Sequence, residues 1–131
     1  MNIGEAAQIS GISAKMIHYY ESIGLISPSG RTHANYRVYS TEDVHTLRFV
    51  KRARTLGFSM PETGGLLTLW RDKTRASADV KLFATRHIHD LEARIKELAS
   101  MARTLKHLAR HCPGDNRPDC PILDDLSANK P

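Results

Sequence analysis

Two cysteines near the end of the chain are the residues best suited to chemistry. Cys112 and Cys120 are the only cysteines among the 131 residues, and they bracket a loop rich in proline and glycine, CPGDNRPDC. Two thiolates on one short, constrained loop can converge on a single metal ion, and thiolates favour Cu(I) and its heavier congeners. Because a structural zinc site generally needs four Cys or His ligands, two thiolates favour linear coordination of a monovalent ion.

Other interpretations of this loop stay open on the sequence alone. The two cysteines can instead be buried thiols without a ligand role. His107 and His111 stand one helical turn apart just before the loop and are further candidate ligands. Histidines at that spacing on a helix more often face solvent, so the thiols remain the primary candidates.

A second group of residues is cationic and interleaved with aromatic side chains. Its basic members are Lys15, His18, Arg31, Arg37, Arg52 and Arg54, and its aromatic members are Tyr19, Tyr20, Tyr36 and Tyr39. The whole chain carries 19 Lys+Arg against 14 Asp+Glu, a formal net charge of +5, which is typical of proteins that bind nucleic acid. The alternative is that Tyr20 and Tyr39 only pack a wing onto the helices.

The elements that position these residues begin with two short helices joined by a tight turn. Ala7 and Gly11 are small enough to let the helices approach closely, and Ser13 can cap the second helix. This pattern predicts a helix-turn-helix. A recognition helix that starts near Ser13 would direct Lys15 and His18 toward the major groove of DNA.

The next segment predicts a small wing and two further helices. Pro28, Gly30 and Asn35 stand between short runs, and residues 36–39 alternate with the period of a strand. The spacing of Ser40 with Asp43, and of Ser59 with Glu62, is that of capping boxes, so we expect one helix up to Gly57 and another to about Arg71.

A heptad pattern then runs from residue 84 to residue 109. Its apolar positions are Ala84, Ile88, Leu91, Ile95, Leu98, Ala102, Leu105 and Ala109. A helix of roughly thirty residues would be about 45 Å long, too long to pack wholly on so small a domain. A second copy is the simplest partner, and the alternative is a helix folded back on its own N-terminal domain. Prolines end the helix after Arg110, and residues 122–126 predict a short helical turn.

Composition restricts the class of protein. A chain of 14.7 kDa with 40% hydrophobic and 6% aromatic residues suits one small, mainly α domain with an extension. No stretch approaches the ~20 apolar residues of a membrane span, and the first ten residues lack signal-peptide features. We therefore expect a cytoplasmic protein with reduced thiols and no membrane partner. The absence of a nucleophile–base arrangement, phosphate loop or open zinc site argues against an enzyme.

Several motifs together resemble those of MerR-type transcriptional regulators. They are Ile3-Gly4-Glu5-Ala6-Ala7, Met16-Ile17-His18-Tyr19-Tyr20-Glu21, Gly24-Leu25-Ile26, Asn35-Tyr36-Arg37 and Arg54-x-x-Gly57-Phe58. The second half is similar to the copper-responsive CueR-like branch, through residues 77–81, 112–115 and 119–122. The resemblance covers nearly the whole chain.

The resemblance implies a winged helix-turn-helix DNA-binding domain at residues 1–71, a dimerisation helix at 76–110 and a metal-binding loop and tail at 111–131. Two copies would form an antiparallel coiled coil and bind a palindromic promoter. The metal-bound form would bend and untwist the promoter spacer so that RNA polymerase engages both promoter elements, activating metal-resistance or efflux genes.

Site residues follow from the resemblance and the cationic pattern together. Cys112 and Cys120 would bind the metal, with Ser77 of the partner subunit and Lys81 beside the site. The expected DNA contacts are Lys15, His18, Tyr19, Tyr20, Arg31, Tyr36, Arg37 and Arg54. The expected dimer contacts are Ile88, Leu91, Ile95, Leu98 and Leu105.

Metal preference rests on three features of the chain. Divalent-metal sensors of the family have cysteine at the position of Ser77, so serine there favours a monovalent ion. Pro113 resembles the copper-responsive members and Pro118 the gold-responsive ones. We expect Cu(I) first, with Ag(I) or Au(I) as alternatives and a gold-selective sensor or a cytosolic metal buffer as alternative functions. His18 stands where the family usually has arginine, which alters the expected DNA contact.

Overall fold

The computed structural model describes residues 1–27, 30–34 and 36–128, and it is mainly helical there. In chain order the elements are helices α1 (Ile3–Ser10) and α2 (Ala14–Ser22), strands β1 (Gly30–Arg31) and β2 (Arg37–Val38), and helices α3 (Thr41–Thr55), α4 (Met60–Arg71), α5 (Ser77–His111) and α6 (Pro121–Ser127). The predicted mainly α class is confirmed. The chain divides into two compact units, Met1–Lys81 and Leu82–Pro131.

The first two helices form the predicted helix-turn-helix. A capping box begins α1, in which the Asn2 side chain accepts from the Glu5 amide at 2.9 Å. Gly11 ends α1 with φ at +75°, and a side chain at this position would collide with the ammonium group of Lys51. Ser13 then caps α2 by accepting from the Met16 amide at 3.2 Å. The positive φ of Gly11, which glycine adopts without strain, allows the tight turn from α1 into α2.

The predicted wing is a short antiparallel hairpin. Strands β1 and β2 pair with Gly30 opposite Val38 and Arg31 opposite Arg37. The tip is closed on one side by the amide of Thr32, which donates to the carbonyl of Tyr36 at 2.7 Å. Of the three residues predicted to stand between short runs, Gly30 lies in β1, and Pro28 and Asn35 lie outside the described residues.

Capping boxes begin both helices that follow the wing, as their sequence spacing predicts. The Ser40 hydroxyl accepts from the Asp43 amide at 3.1 Å, and the Ser59 hydroxyl accepts from the Glu62 amide at 3.2 Å. Helix α4 continues through its two adjacent glycines. A side chain at Gly64 would meet Leu25 at ordinary contact distance, 3.7 Å, so α4 passes close to the segment after α2.

The core of the Met1–Lys81 unit is largely aliphatic, as the low aromatic content predicts. Helix α1 packs against α2 and α3, and α3 packs against α4. The buried cluster consists of Ala6, Ile12, Ile17, Tyr20, Ile26, Tyr39, Val44, Leu47, Val50 and Leu67. Outside it, Phe49 and Trp70 stack with ring centroids 4.5 Å apart, which joins α3 to α4.

The Leu82–Pro131 unit contains most of one long helix and a short one. Helix α5 has 35 residues, which makes it about 50 Å long. Pro113 follows its end, and α6 covers the helical turn predicted near residue 122. No helix within the described ranges is long and apolar enough to cross a lipid bilayer.

Candidate nucleic-acid interface and metal loop

Helix α2 presents the predicted recognition residues on its exposed side. Lys15, His18 and Tyr19 are exposed, whereas Ile17 is fully buried in the core. Tyr20 is only 5% exposed and belongs to the buried cluster, which corrects its assignment as a DNA contact. Ile17 and Tyr20 are three residues apart, so both lie on the side of α2 that faces the core.

The wing supplies a second exposed set. Tyr36 is 72% exposed just before β2, and Arg31 is exposed on β1. Together with α2 these strands border an open groove of about 670 Å³. It is lined by Asn2, Ile3, His18, Arg31, Thr32, Tyr36 and Arg37. The structure thus brings the predicted residues His18, Arg31, Tyr36 and Arg37 to one groove.

Arg37 joins the wing to α2 through two contacts. Its guanidinium forms an ion pair with the carboxylate of Glu21, whose side chain is 6% exposed against 32% for Arg37. Its Nη1 also donates to Nδ1 of His18 at 3.1 Å. Sequence reasoning missed Glu21, although the spacing of His18 and Glu21 placed both on the same side of α2.

Tyr39 completes this group from the core. Its hydroxyl donates to the other carboxylate oxygen of Glu21, and its ring is almost fully buried. Burial raises the pKa of Tyr39, against a lowering effect of the nearby Arg37 charge. The alternative role considered for Tyr39, packing the wing onto the helices, agrees with this position.

Arg54, the remaining predicted DNA contact, lies near the end of α3. Its Nη1 donates to the carbonyl of Phe58 at 2.6 Å, which stabilises the turn after the helix. The residue is nevertheless exposed. Guanidinium groups carry five donors, so this internal hydrogen bond leaves donors available for phosphate.

The predicted metal loop lies between α5 and α6. Cys112 follows α5 directly, with its amide donating to the carbonyl of Ala109 at 3.2 Å. Cys120 is the N-cap residue of α6, and its side chain makes no capping hydrogen bond. Both cysteines are half-buried and neither is in a disulfide. Two reduced thiols therefore flank the loop.

Hydrogen bonds within the loop limit its conformations. Asp115 accepts from the Arg117 amide at 3.0 Å and pairs with the Arg117 guanidinium at 2.9 Å. Gly114 adopts φ of +65°, which glycine tolerates without strain. A loop that is already turned loses less conformational entropy when its ends are joined by a ligand.

The other residues considered near the metal are exposed. Nδ1 of His111 is 2.8 Å from the carbonyl of His107, and both histidines face solvent. Because a carbonyl only accepts, the Nδ1 of His111 is the donor. Ser77 and Lys81 are exposed in the first turns of α5.

The heptad positions of α5 form an apolar seam in the Leu82–Pro131 unit. Ile95 and Leu98 are 63% and 62% exposed, Ile88 and Leu105 are also exposed, and Leu91 is half-buried. Large apolar side chains in a continuous row on one helix are typical of a surface that binds another helix.

Comparison with known proteins places this arrangement among transcriptional regulators. Residues 2–39 match the family described as "MerR family regulatory protein", and residues 44–108 match "MerR, DNA binding". The chain is 61% identical over 127 residues to Heavy metal-dependent transcription regulator 2 of Rhizobium meliloti (strain 1021), covering 97% of this chain and 86% of the relative.

Two further relatives extend the comparison. Over 127 residues the chain is 41% identical to the HTH-type transcriptional regulator CueR of Escherichia coli O157:H7, covering 97% of this chain and 94% of the relative. It also resembles the crystal structure of the transcription regulator PbrR691 from Ralstonia metallidurans CH34 in complex with lead(II). That structure has a TM-score of 0.84 and 28% identity, with 97% of this chain and 99% of the other covered.

Proposed function

This chain belongs to the MerR family of transcriptional regulators, and we propose that it is a metal-responsive activator that senses a monovalent coinage-metal ion. In this proposal it acts in the cytoplasm as a homodimer on promoter DNA. Cys112 and Cys120 bind the ion, Cu(I) first and Ag(I) or Au(I) as alternatives. The observation that carries the proposal is the pair of free, half-buried thiols flanking one turned loop.

The chemistry of the donor set favours a monovalent ion. Two thiolates complete the linear coordination of one monovalent cation and leave a net charge of −1. A divalent ion with the same ligands would be neutral but would have only two of the four ligands that such an ion usually takes. The chain has no third cysteine, and Ser77 stands where the resemblance expects cysteine in divalent-metal sensors. The relative from Rhizobium meliloti is named for dependence on heavy metals, which agrees with a metal response here.

Competitive metal titration tests the metal site. Cu(I), Ag(I), Au(I), Zn(II) and Hg(II) are titrated against buffered chelators under anaerobic, reducing conditions. We expect tight monovalent binding that weakens by more than about a hundredfold in Cys112→Ser and Cys120→Ser. His89→Gln, a change at an exposed histidine of α5, is the matched control and leaves the affinities unchanged. Tight zinc binding, or monovalent binding that survives without both cysteines, would overturn the assignment.

The regulatory part of the proposal concerns the shape of promoter DNA. Deforming a promoter costs free energy, so an ion that changes the preferred DNA geometry of the dimer can activate transcription. Permuted or phased duplexes run with and without Cu(I) measure the bend directly. We expect equal promoter occupancy but a different bend on metal binding, and identical bends in both states would contradict this mechanism.

A cytosolic metal buffer is the alternative that uses the same cysteines. The exposed cationic groove between α2 and the wing favours the regulator. A gel-shift titration with promoter duplex at increasing salt separates the two functions. A regulator gives a specific complex that weakens as counterions are added, whereas a buffer gives no specific complex.

A further inference from the structure

His18 is oriented by Arg37, whose guanidinium can donate hydrogen bonds but cannot accept them. Nη1 of Arg37 lies 3.1 Å from its Nδ1, and a guanidinium has donors but no acceptor and stays protonated in proteins. Nδ1 of His18 must therefore be the acceptor. In the neutral ring the remaining proton is then on Nε2, so the imidazole has a single N–H donor on the side away from Arg37.

Arg37 is itself held from the core side. Its guanidinium pairs with the buried carboxylate of Glu21, and Glu21 also accepts from the hydroxyl of Tyr39. Tyr39 is fixed among core residues. This series of four side chains, Tyr39, Glu21, Arg37 and His18, runs from the core to the exposed side of α2 and fixes the tautomer of the last member.

We propose that His18 is a specificity-determining residue that donates one hydrogen bond from Nε2 to an acceptor on DNA, and that Arg37 is its positioning residue. The inference rests on the DNA-binding part of the proposed function. The exposed ring borders the groove between α2 and the wing. The base acceptors of suitable chemistry are purine N7, guanine O6 and thymine O4, whereas the amino group of cytosine is excluded.

This contact differs from the one that arginine makes. Arginine can place two parallel donors on guanine O6 and N7, whereas the His18 ring offers one donor with a fixed direction. We therefore expect His18 to accept more than one base at its position in the operator. Replacing it with arginine should narrow the selection toward guanine.

The tautomer is tested first, on the free protein. Long-range ¹H–¹⁵N correlation spectra of the full chain distinguish Nε2–H from Nδ1–H imidazole. We expect Nε2–H for His18, and a larger Nδ1–H fraction in Glu21→Gln/Arg37→Met, which removes the donor and the buried charge together. An Nδ1–H ring in the wild-type chain would overturn the inference, and this result does not depend on DNA binding.

The DNA contact is tested with a duplex selected by the wild-type chain from a random library. Each purine in the half-site is replaced in turn with its 7-deaza analogue, each guanine with 2-aminopurine, which lacks O6, and each thymine with an analogue that lacks O4. Each phosphate is replaced with a methylphosphonate. One replacement should weaken binding about fivefold, the effect of one lost neutral hydrogen bond. Loss of affinity with a base analogue identifies the base acceptor. A methylphosphonate effect alone would identify a phosphate contact, which carries no sequence information, and would overturn the specificity role.

Two substitutions at His18 assign that effect to the correct atom. The amide nitrogen of glutamine can occupy the place of Nε2, whereas the shorter asparagine reaches only the place of Nδ1. His18→Gln should keep the fivefold sensitivity and His18→Asn should lose it. If both variants keep it, another residue makes the contact and the inference is wrong. Failure of the wild-type chain to select any sequence would instead contradict the proposed function.

Discussion

The ion pair between Arg37 and Glu21 should be worth more than a surface salt bridge, because one of its ends is closed to water. The Glu21 side chain is 6% exposed and that of Arg37 is 32% exposed. Arg37→Gln leaves a buried carboxylate without its guanidinium. We expect a loss of about 2–3 kcal/mol in the free energy of unfolding, between the ~0–1 kcal/mol of exposed pairs and the ~3–5 kcal/mol of broken buried ones.

Glu21→Gln and the double variant complete a double-mutant cycle with Arg37→Gln, and both should lose less stability than Arg37→Gln. Glu21→Gln leaves Arg37, which reaches solvent, so we expect a loss of about 1–2 kcal/mol. The double variant should cost about 2 kcal/mol rather than the sum of the single changes, which gives a coupling energy of about 1–3 kcal/mol. Lys15→Gln, a change at an exposed cation on α2, is the control and should stay within about 0.5 kcal/mol of wild type.

Urea unfolding followed by tryptophan fluorescence measures these free energies for the part of the chain that contains the ion pair. The single tryptophan, Trp70, lies in α4 and stacks on Phe49, so its emission reports the Met1–Lys81 unit. All variants are compared at one protein concentration, since dimerisation would make stability depend on concentration. Coupling below about 0.5 kcal/mol, or a cost for Arg37→Gln no larger than for Lys15→Gln, would refute the argument.

Four further outcomes are expected. Burial raises the pKa of Tyr39 above its ordinary value of 10.0. The contribution of the neutral tyrosine to stability is therefore complete below pH 10 and is lost as pH rises through the folded-state pKa. Urea unfolding of Tyr39→Phe between pH 8 and 11 should lack this loss of stability with pH. Leu98→Lys places a charge on the apolar seam of α5. If the wild-type chain forms the proposed dimer, sedimentation should show this variant as a monomer at concentrations where the wild-type chain is dimeric. Ser77→Cys should raise the affinity for Hg(II) at least about tenfold with little change for Cu(I), as measured by chelator competition. Lys15→Gln should reduce the slope of log affinity against log salt concentration for promoter binding by about one per protomer. An unchanged slope in gel-shift titrations would exclude Lys15 as a phosphate contact.

Local patterns account for what the sequence predicted correctly. The capping boxes at Ser40 and Ser59 use residues three apart, and such contacts depend little on the rest of the fold. Long-range pairings were not predictable in this way. The ion pair of Glu21 with Arg37 joins α2 to β2, and spacing along the chain does not indicate which cation meets a given carboxylate.

The two adjacent tyrosines of α2 show the same limit at the level of single residues. Tyr19 and Tyr20 have identical chemistry, and each could pack or face DNA on sequence grounds. The choice depends on the rotation of α2 about its axis, which the buried Ile17 and the other core residues set. With Ile17 inside, Tyr20 follows it three positions later on the same side of the helix, and Tyr19 is left outside.

The position of Arg37 also changes what a basic residue in this groove contributes to DNA recognition. A cation whose charge is balanced by a neighbouring carboxylate displaces few counterions, so Arg37 adds less to affinity than its charge suggests. Its donors instead fix the wing against α2 and orient His18. On the proposal that His18 contacts DNA, histidine where the resemblance expects arginine does not simply remove a cation. It would replace a two-donor contact with a single donor whose direction the wing determines, so affinity and base preference could vary separately.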